Sequence, residues 1–266
     1  TLSGGKIGLK YQASKDKLFY IALSKGYKPG GVNPNNSLPK NARSFDTESL
    51  YNLDLGVNSS HLGDRLKSRL NLFYGKRKDQ QVKSSMVNLR DDGSSEFIDF
   101  IANAAKTHYY GLESEITFQA NDSLRFFSSI GLLKAEFDEY KDPNPNSIDV
   151  EGRAPAQSPK YQYDIGVDYF VGEHIKLSSD IEGKGSYYFS NRHNAKAPSY
   201  SLLNASATVY DGSWSLSLWG RNLNNKDYEV RGFGSFGNNP AKGYATETYT
   251  QKGDPRTYGL TLSYDY

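Results

Sequence analysis

Apolar and polar residues alternate along most of this chain. Residues 161–169 read YQYDIGVDY, so Tyr, Ile and Val occupy every second position, with polar residues or Gly between them. Residues 51–58 and 175–182 repeat the pattern, and the chain ends in TYGLTLSYDY at 257–266. Side chains of a β-strand point alternately to its two faces, so the pattern predicts strands with one apolar and one polar face.

The alternation predicts eleven strands joined by two kinds of connection. The strands cover residues 3–13, 17–27, 47–60, 65–77, 106–120, 123–138, 159–171, 174–187, 200–211, 213–223 and 256–266. Short turns at 15–17, 62–64, 121–122, 172–173 and 211–212 alternate with long loops at 28–46, 78–105, 139–158, 188–199 and 224–255. This order predicts an antiparallel up-and-down meander, with all tight turns at one end and all long loops at the other.

An up-and-down transmembrane β-barrel fits these strands best. They exceed the ~5–6 residues usual in soluble sheets and match the ~9–11 residues that a tilted strand needs to cross a bilayer. Apolar side chains would contact lipid and polar side chains would face the lumen. A sheet in lipid must close on itself, and single-chain bacterial barrels have even strand counts. Eleven strands leave two open edges, so we expect residues 1–266 to be the C-terminal portion of a larger barrel.

Composition narrows the function classes. Aromatic residues make up 14% of the chain although the mean hydropathy is −0.70, which argues against disorder. There is no Cys, so disulfides and thiolate sites are excluded. The net charge of +2 is small, and nucleic acid is not an expected partner. The sequence has no apolar run long enough for a membrane helix. No leader peptide is expected at Thr1, so the signal of an exported protein would lie upstream.

Aromatic residues near the predicted strand ends are candidates for the membrane interfaces. They are Tyr20, Tyr74, Tyr187, Tyr188, Phe189, Tyr258 and Tyr264. Aromatic girdles flank the apolar band of transmembrane barrels. A general preference of aromatic residues for strands is the alternative explanation.

Six stretches, in order along the chain, have the character of a known family. They are SKGYKPGGVN (24–33), LDLGVNSS (53–60) with RLNLFYGKRKDQQ (69–81), NAAKTHYYGLESE (103–115), GRAPAQSPKY (152–161), WGRNLNNKDY (219–228) and GDPRTYGLTLSYDY (253–266). Together they resemble the later half of the barrel of TonB-dependent outer-membrane receptors. The family's plug domain and its TonB-contacting segment have no counterpart here. The family most often ends in Phe, whereas this chain ends in Tyr266.

The resemblance implies half of a 22-stranded barrel in the outer membrane of a Gram-negative bacterium. It implies a transporter, not an enzyme, that imports a scarce nutrient with energy delivered through TonB to the missing N-terminal part. A ferric siderophore is the expected nutrient, with vitamin B12, haem or an oligosaccharide as alternatives. From other classes, a plug-less pore or adhesin and a soluble β-rich binding protein remain open.

The long loops carry the candidate ligand-binding residues, and no cofactor or metal site is expected. The candidates are Arg231, Phe233, Phe236 and Tyr244 in loop 224–255, which also holds Tyr228 and Tyr249, and Arg192 beside His193 in loop 188–199. Arg can pair with an anionic chelate, and aromatic rings stack on ligand faces. The alternative is a solvated loop whose aromatic residues anchor its ends. The four His residues lack the spacing of metal ligands.

Two further segments near the end of the chain have expected roles. The closing strand is similar to the signal read by the barrel-assembly machinery, through Thr257, Gly259, Leu262, Tyr264 and Tyr266. A strand with a free edge could pair transiently with that machinery, although any lipid-facing strand would show the same alternation. The segment from Arg221 to Asn225 is expected to form hydrogen bonds at the barrel rim and not to contact ligand.

Overall fold

The computed structural model describes residues 2–89, 91–92, 95–142, 144, 147–233, 241 and 247–265. Its strands are β1 (Gly5–Ser14), β2 (Lys17–Lys28), β3 (Gly31–Val32), β4 (Ser44–Phe45), β5 (Glu48–His61), β6 (Leu66–Leu89), β7 (Ser95–Asn121), β8 (Leu124–Tyr140), β9 (Tyr161–Val171), β10 (Ile175–Lys184), β11 (Tyr187–Tyr188), β12 (Lys196–Ala197), β13 (Tyr200–Asp211), β14 (Trp214–Arg221), β15 (Glu229–Phe233), β16 (Tyr249–Lys252) and β17 (Thr257–Tyr264). A short 3₁₀ helix covers Lys40–Ala42.

Eleven of these strands form one antiparallel sheet in the order β1-β2-β5-β6-β7-β8-β9-β10-β13-β14-β17. Each strand pairs with the sheet strands before and after it along the chain, so the predicted up-and-down topology is confirmed. The six short strands form three separate ladders, β3–β4, β11–β12 and β15–β16, between the long strands. In the described ranges, no helix has the length and apolar character needed to cross a membrane.

The two faces of the sheet differ as the alternation predicts. The apolar face carries side chains such as Ile165, Leu177 and Leu260, which are 48%, 42% and 66% exposed. Tyr163 lies on the same face but is half-buried, because it packs against Gly183 and its hydroxyl is 2.7 Å from the Ser201 hydroxyl. Among the described residues, no protein core covers this face. A soluble barrel with these side chains in its interior is therefore wrong, and so large an exposed apolar face marks an interaction surface.

The polar face is held together by ring packing and by hydrogen bonds between neighbouring strands. Tyr20 lies over Gly56 and donates a hydrogen bond to Asn71 Oδ1 at 3.1 Å. Near the short turns, the Arg125 Nε donates to the buried Asp168 carboxylate at 2.8 Å. Glycine at the positions under the rings leaves the space that the rings fill.

The structure places only some of the predicted girdle residues on the apolar face. Tyr74, Tyr258 and Tyr264 are exposed on the apolar face, as expected. Tyr20 instead points to the polar face, because it is out of phase with its exposed neighbours on β2. Tyr187 and Phe189 are buried with Ala197 in a small cluster among the loops, so they do not contribute to a girdle.

The predicted loop 78–105 is wrong, because most of it is strand. β6 continues to Leu89 and β7 begins at Ser95, and the two strands stay paired from Gln80 with Ala105 to Leu89 with Ser95. The register shifts between Arg77 and Gln80, where Asp79 has a φ of 53°. This bulge interrupts the alternation, so the period-two pattern ends earlier than the strand does.

The described residues of the connections at the long-loop end, within 28–47, 78–105, 139–160, 185–199 and 224–256, form a packed layer, here called the loop layer. Together with the end of β8, it contains all three apolar clusters found in the described chain. The largest clusters are Val82, Ala104, Ala105, Phe137, Tyr140 and Val150, and Leu38, Ala42, Ile98, Phe100 and Ala102. The buried apolar clusters of this protein therefore lie among its loops and not against a face of the long sheet.

Candidate functional site

Arg153 joins two segments of the loop layer. Its Nη1 donates to the His193 carbonyl at 3.0 Å and to Asn194 Oδ1 at 2.7 Å, and its Nη2 donates to the Ser190 carbonyl at 2.9 Å. The guanidinium also lies 4.1 Å from the centre of the Tyr188 ring. A planar Arg with several fixed donors can bind several acceptors at once. Sequence analysis placed this Arg in a family-like stretch but assigned it no role.

The β15–β16 hairpin docks on the loop layer through one face. The Tyr187 hydroxyl donates to the carbonyls of Glu229 and Val230 at 3.2 and 3.3 Å. Gly232 lies directly against the Phe189 ring, where a Cβ would overlap the ring. The hairpin is thereby fixed in position by two buried rings that sequence analysis had placed in a membrane girdle.

Docking through Gly232 leaves its two neighbours, Arg231 and Phe233, on the opposite face of the hairpin. Successive residues of a strand point to opposite sides, and both of these side chains are exposed. The Arg231 guanidinium lies 4.7 Å from the centre of the Phe233 ring. These two predicted ligand-binding residues therefore form an exposed pair of a cation and a ring on a supported element.

Arg192 and His193 occupy structural positions. The Arg192 Nη2 donates to the Lys83 carbonyl at 3.2 Å, which ties the 185–199 segment to the extended part of β6. The His193 Nδ1 accepts a hydrogen bond from the Ala195 N–H at 3.2 Å. Burial, together with the positive charge of Arg153, lowers the pKa of His193 below its ordinary value. At neutral pH this imidazole is uncharged, so it adds no cation to a ligand site.

The other aromatic candidates have varied positions. Tyr228 packs on Gly253 and against the Tyr200 ring, with ring centres 4.5 Å apart, so it anchors the two ends of its loop. The Tyr249 hydroxyl donates to Glu247 Oε2 at 2.8 Å. Phe236 and Tyr244 lie outside the described residues.

The segment after β14 forms the predicted hydrogen bonds at the rim. Asn222, with a φ of 50°, donates from Nδ2 to the carbonyls of Lys226 and Asp254, both at 3.0 Å. Asn224 accepts from the Leu203 N–H at 3.1 Å and donates to the Ser201 carbonyl at 2.9 Å. These bonds join the start and end of the 224–255 connection to β13, and they leave Asn222 buried.

The closing strand β17 pairs only with β14 in the described sheet. Tyr258, Leu260, Leu262 and Tyr264 lie on its apolar face, and Gly259 lies on the other face under the Trp219 ring. The Trp219 Nε1 donates to Thr261 Oγ1 at 3.1 Å. Gly259 therefore has a packing role whether or not it also belongs to an assembly signal. Tyr266 lies outside the described residues.

No group of three or more His, Cys, Asp or Glu residues that could hold a metal ion is present in the part of the chain that the structure describes. Near the end of β8, acidic and basic side chains pair with one another. Lys106 and Lys141 hold Glu139 on both sides and lower the pKa of Glu139 to about 2.

A family model described as "TonB dependent receptor-like, beta-barrel" matches residues 4–223. The chain belongs to the TonB-dependent receptor family. Members of this family are transport receptors and not enzymes. The resemblance seen in the ordered sequence stretches is thereby confirmed.

Individual family members share the fold at low sequence identity. The ferrioxamine receptor of Yersinia enterocolitica is 26% identical over 170 residues, covering 61% of this chain and 21% of that receptor. The ferric yersiniabactin uptake receptor of Yersinia pestis is 19% identical with a TM-score of 0.77, covering 99% of this chain and 37% of that one. The copper transporter OprC is 15% identical with a TM-score of 0.70, covering 99% of this chain and 39% of that one. The chain thus spans well under half of each relative.

Proposed function

We propose that this chain is part of an outer-membrane receptor of a Gram-negative bacterium that imports a ferric siderophore. The similarity to the ferrioxamine receptor and the fold shared with the ferric yersiniabactin receptor support this substrate class. Because a copper transporter has a similar fold, the fold alone does not identify the substrate. Support for a siderophore must therefore also come from residues of the loop layer.

The exposed pair Arg231 and Phe233 is the observation that carries the proposal. A guanidinium can donate several hydrogen bonds to the oxygens of an anionic chelate, and an adjacent ring offers a face for stacking. Both side chains stand on a hairpin that Tyr187 and Phe189 hold in place. Binding on a supported element loses less conformational entropy than binding on a free loop.

Transport requires parts of the protein outside this chain. TonB would act through a plug domain that lies in the lumen, and the polar face of the sheet would line the passage. The apolar face would contact outer-membrane lipid. The closing strand would engage the barrel-assembly machinery through Thr257, Gly259, Leu262, Tyr264 and Tyr266 before the barrel closes.

Substitutions in the exposed pair test the proposal. In the full-length receptor, Arg231→Ala should weaken binding of an iron-loaded siderophore about tenfold, because a charge-assisted hydrogen bond is lost. Phe233→Ala should weaken it by a smaller factor. Binding of hydroxamate, catecholate and carboxylate chelates is measured with radioactive iron, and binding of haem, vitamin B12 and an oligosaccharide is measured by calorimetry. Lys226→Ala, which removes an exposed cation from the same connection, is the matched control.

Three results would contradict the proposal. Unchanged affinity in Arg231→Ala would remove the pair from the site. Tight binding of haem, vitamin B12 or the oligosaccharide without any ferric chelate would replace the substrate class. Import that continues in cells lacking TonB would indicate a pore and not an energy-coupled receptor.

A further inference from the structure

The turn between β11 and β12 is closed by the side chain of His193. The Ala195 N–H donates to His193 Nδ1 at 3.2 Å, and the Phe189 N–H donates to the Ala195 carbonyl at 3.1 Å. Ala195 also packs against the cluster of Tyr187, Phe189 and Ala197. The imidazole therefore holds the backbone that carries the two rings on which the β15–β16 hairpin docks.

The hydrogen bond to Ala195 fixes which nitrogen of His193 carries the proton. Because Nδ1 accepts from an N–H, it is unprotonated, and the proton of the neutral ring is on Nε2. Nε2 is buried and has no hydrogen-bond partner among the described residues. A second proton would have to bind Nδ1, where it would face the Ala195 N–H. Protonation of His193 therefore replaces a hydrogen bond with a contact between two donors.

No acid beside His193 offsets an added positive charge. In the described chain, the ion pairs that involve a His are those of His108, so no carboxylate lies within 4.0 Å of the His193 nitrogens. Burial is the main cause that lowers the pKa of His193, the Arg153 guanidinium adds to it, and the Gly232 backbone opposes it. Arg153 belongs to the 139–160 segment and Gly232 to the hairpin, so both elements lie beside the imidazole.

The charged side chains that flank this contact have partners of their own. Arg192 contacts a backbone carbonyl and Lys196 lies over an aromatic ring. On the hairpin, Glu229 accepts from a hydroxyl and Arg231 lies over an aromatic ring. His is the side chain whose ordinary pKa places its change of charge between pH 5 and 8. The charge of His193 is therefore the one that changes here in that range.

We propose that neutral His193 is a positioning residue for the β15–β16 hairpin, and that adding a proton to it releases the hairpin and weakens ligand binding. The effect on ligand binding rests on the proposed function, because it requires Arg231 and Phe233 to contact the chelate. Docking is favoured in full above about pH 6.5, the ordinary pKa of His. Because the docked state has the lower pKa, docking weakens as the pH falls from there toward that lower value.

Hydrogen exchange of the full-length receptor at about pH 7.5 and about pH 5 tests this inference. The comparison variant is His193→Asn, whose Oδ1 can accept from the Ala195 N–H but does not titrate. Dividing the exchange rate of the unmodified protein by that of His193→Asn at the same pH removes the intrinsic effect of pH. In peptides from 229–233 and 249–252, this ratio should be about 1 at neutral pH and about fivefold higher in acid. In peptides from 124–132 it should stay near 1.

Two further variants separate the acceptor from the charge. His193→Ala lacks the acceptor, so its hairpin peptides should exchange fast at both pH values. His174→Asn, which removes an exposed His at a short turn, is the matched control and should behave as the unmodified protein. Binding of an iron-loaded trihydroxamate is measured on the same proteins. The unmodified protein should bind it about threefold more weakly than His193→Asn in acid, and equally at neutral pH.

Three results would overturn the inference. They are a rate ratio near 1 at both pH values, exchange in His193→Ala that matches His193→Asn, and faster exchange in acid with unchanged affinity for a chelate that binds. Failure of the proposed function gives a different result. If no ferric chelate binds at either pH, that function is wrong, and the exchange rates alone decide whether His193 positions the hairpin.

Discussion

At the scale of single residues, aromatic rings lying over glycines shape the polar face. The Tyr109 ring lies over Gly75 and its hydroxyl donates to Asn52 Oδ1 at 3.3 Å. Trp219 covers Gly259 in the same way on the last pair of strands. A ring that covers the bare backbone of a glycine shields neighbouring hydrogen bonds and fixes the position of the two strands.

Gly75→Ala should destabilise the barrel by about 1–3 kcal/mol, because the new Cβ overlaps the Tyr109 ring and the ring must move. The free energy of unfolding in urea, measured on the barrel in lipid or detergent, checks this. Gly131→Ala is the control, since its Cβ would meet only the flexible Gln162 side chain at 3.4 Å. Equal effects of the two substitutions would contradict a packing role for Tyr109.

Individual residue roles were only partly accessible from the sequence. The hydrogen bonds of Asn222 and Asn224 could be anticipated because their segment resembles a recurrent family stretch. The roles of Arg153 and Arg192 could not be distinguished from the sequence. Both lie in loops, and only tertiary contacts show whether an Arg joins two segments or is a free cation. The exposure of Arg231 follows from the packing of Gly232 on the Phe189 ring, which the sequence does not show.

At the scale of elements, the β6–β7 hairpin extends far beyond the part that the alternation revealed. Glu48 is buried where the extension starts and accepts from the Gln81 N–H at 2.9 Å, while its other oxygen is 3.0 Å from the Arg77 Nε. The Gln81 Nε2 donates to the Pro29 and Asp46 carbonyls at 2.8 and 3.0 Å. This polar group joins the start of the extension to the 28–47 segment.

Glu48→Ala should loosen the extension and leave the remainder of the sheet intact. It removes the acceptor of a buried N–H, so local opening should become easier by about 1–3 kcal/mol. Hydrogen exchange read by mass spectrometry should speed up in peptides from 80–105 and stay unchanged in peptides from 124–132. Asp99→Ala, which breaks only the exposed contact with Lys83, should change exchange by much less. Faster exchange throughout the sheet would indicate a global role for Glu48.

The strand prediction was accurate where the two faces of a strand have different surroundings. Strands such as β9 and β10 have one exposed apolar face, so their sequences alternate and their predicted limits are within a few residues. Beyond Asp79 the chain packs against other loops, and small or mixed residues such as Ala102 and Ala104 become buried. Burial there follows tertiary contacts, which a period-two pattern does not encode.

At the scale of the whole molecule, the sheet is a wall with an apolar side and a polar side. Its order and direction could be predicted from alternation and loop length, and the family assignment agrees with them. In this sheet of eleven strands, β1 and β17 are the two edge strands, as the strand prediction implies. Closure into a 22-stranded barrel stays a prediction, because it depends on strands outside this chain.

Neighbouring residues on opposite sides of this wall should respond differently to the same substitution. Ile130→Arg places a charge on the apolar face and should destabilise the protein in a bilayer by about 2–4 kcal/mol. Ser129→Arg places it on the polar face, where Glu115 and Asp164 are the cross-strand partners of Ser129, and should have little effect. Folding titrations into lipid vesicles measure both. A larger loss in Ser129→Arg would reverse the assignment of the two faces.

The extended β6–β7 hairpin also projects far beyond the bulge at Asp79. Ten residues of β6, from Gln80 to Leu89, stay paired beyond the bulge. At about 3.3 Å per residue, they carry the tip roughly 33 Å along the strand direction past that point. In the outer-membrane orientation proposed above, an antibody or bacteriophage approaching an intact bacterium would contact this projection. Natural variation driven by immune or viral pressure should accordingly concentrate near residues 91–92.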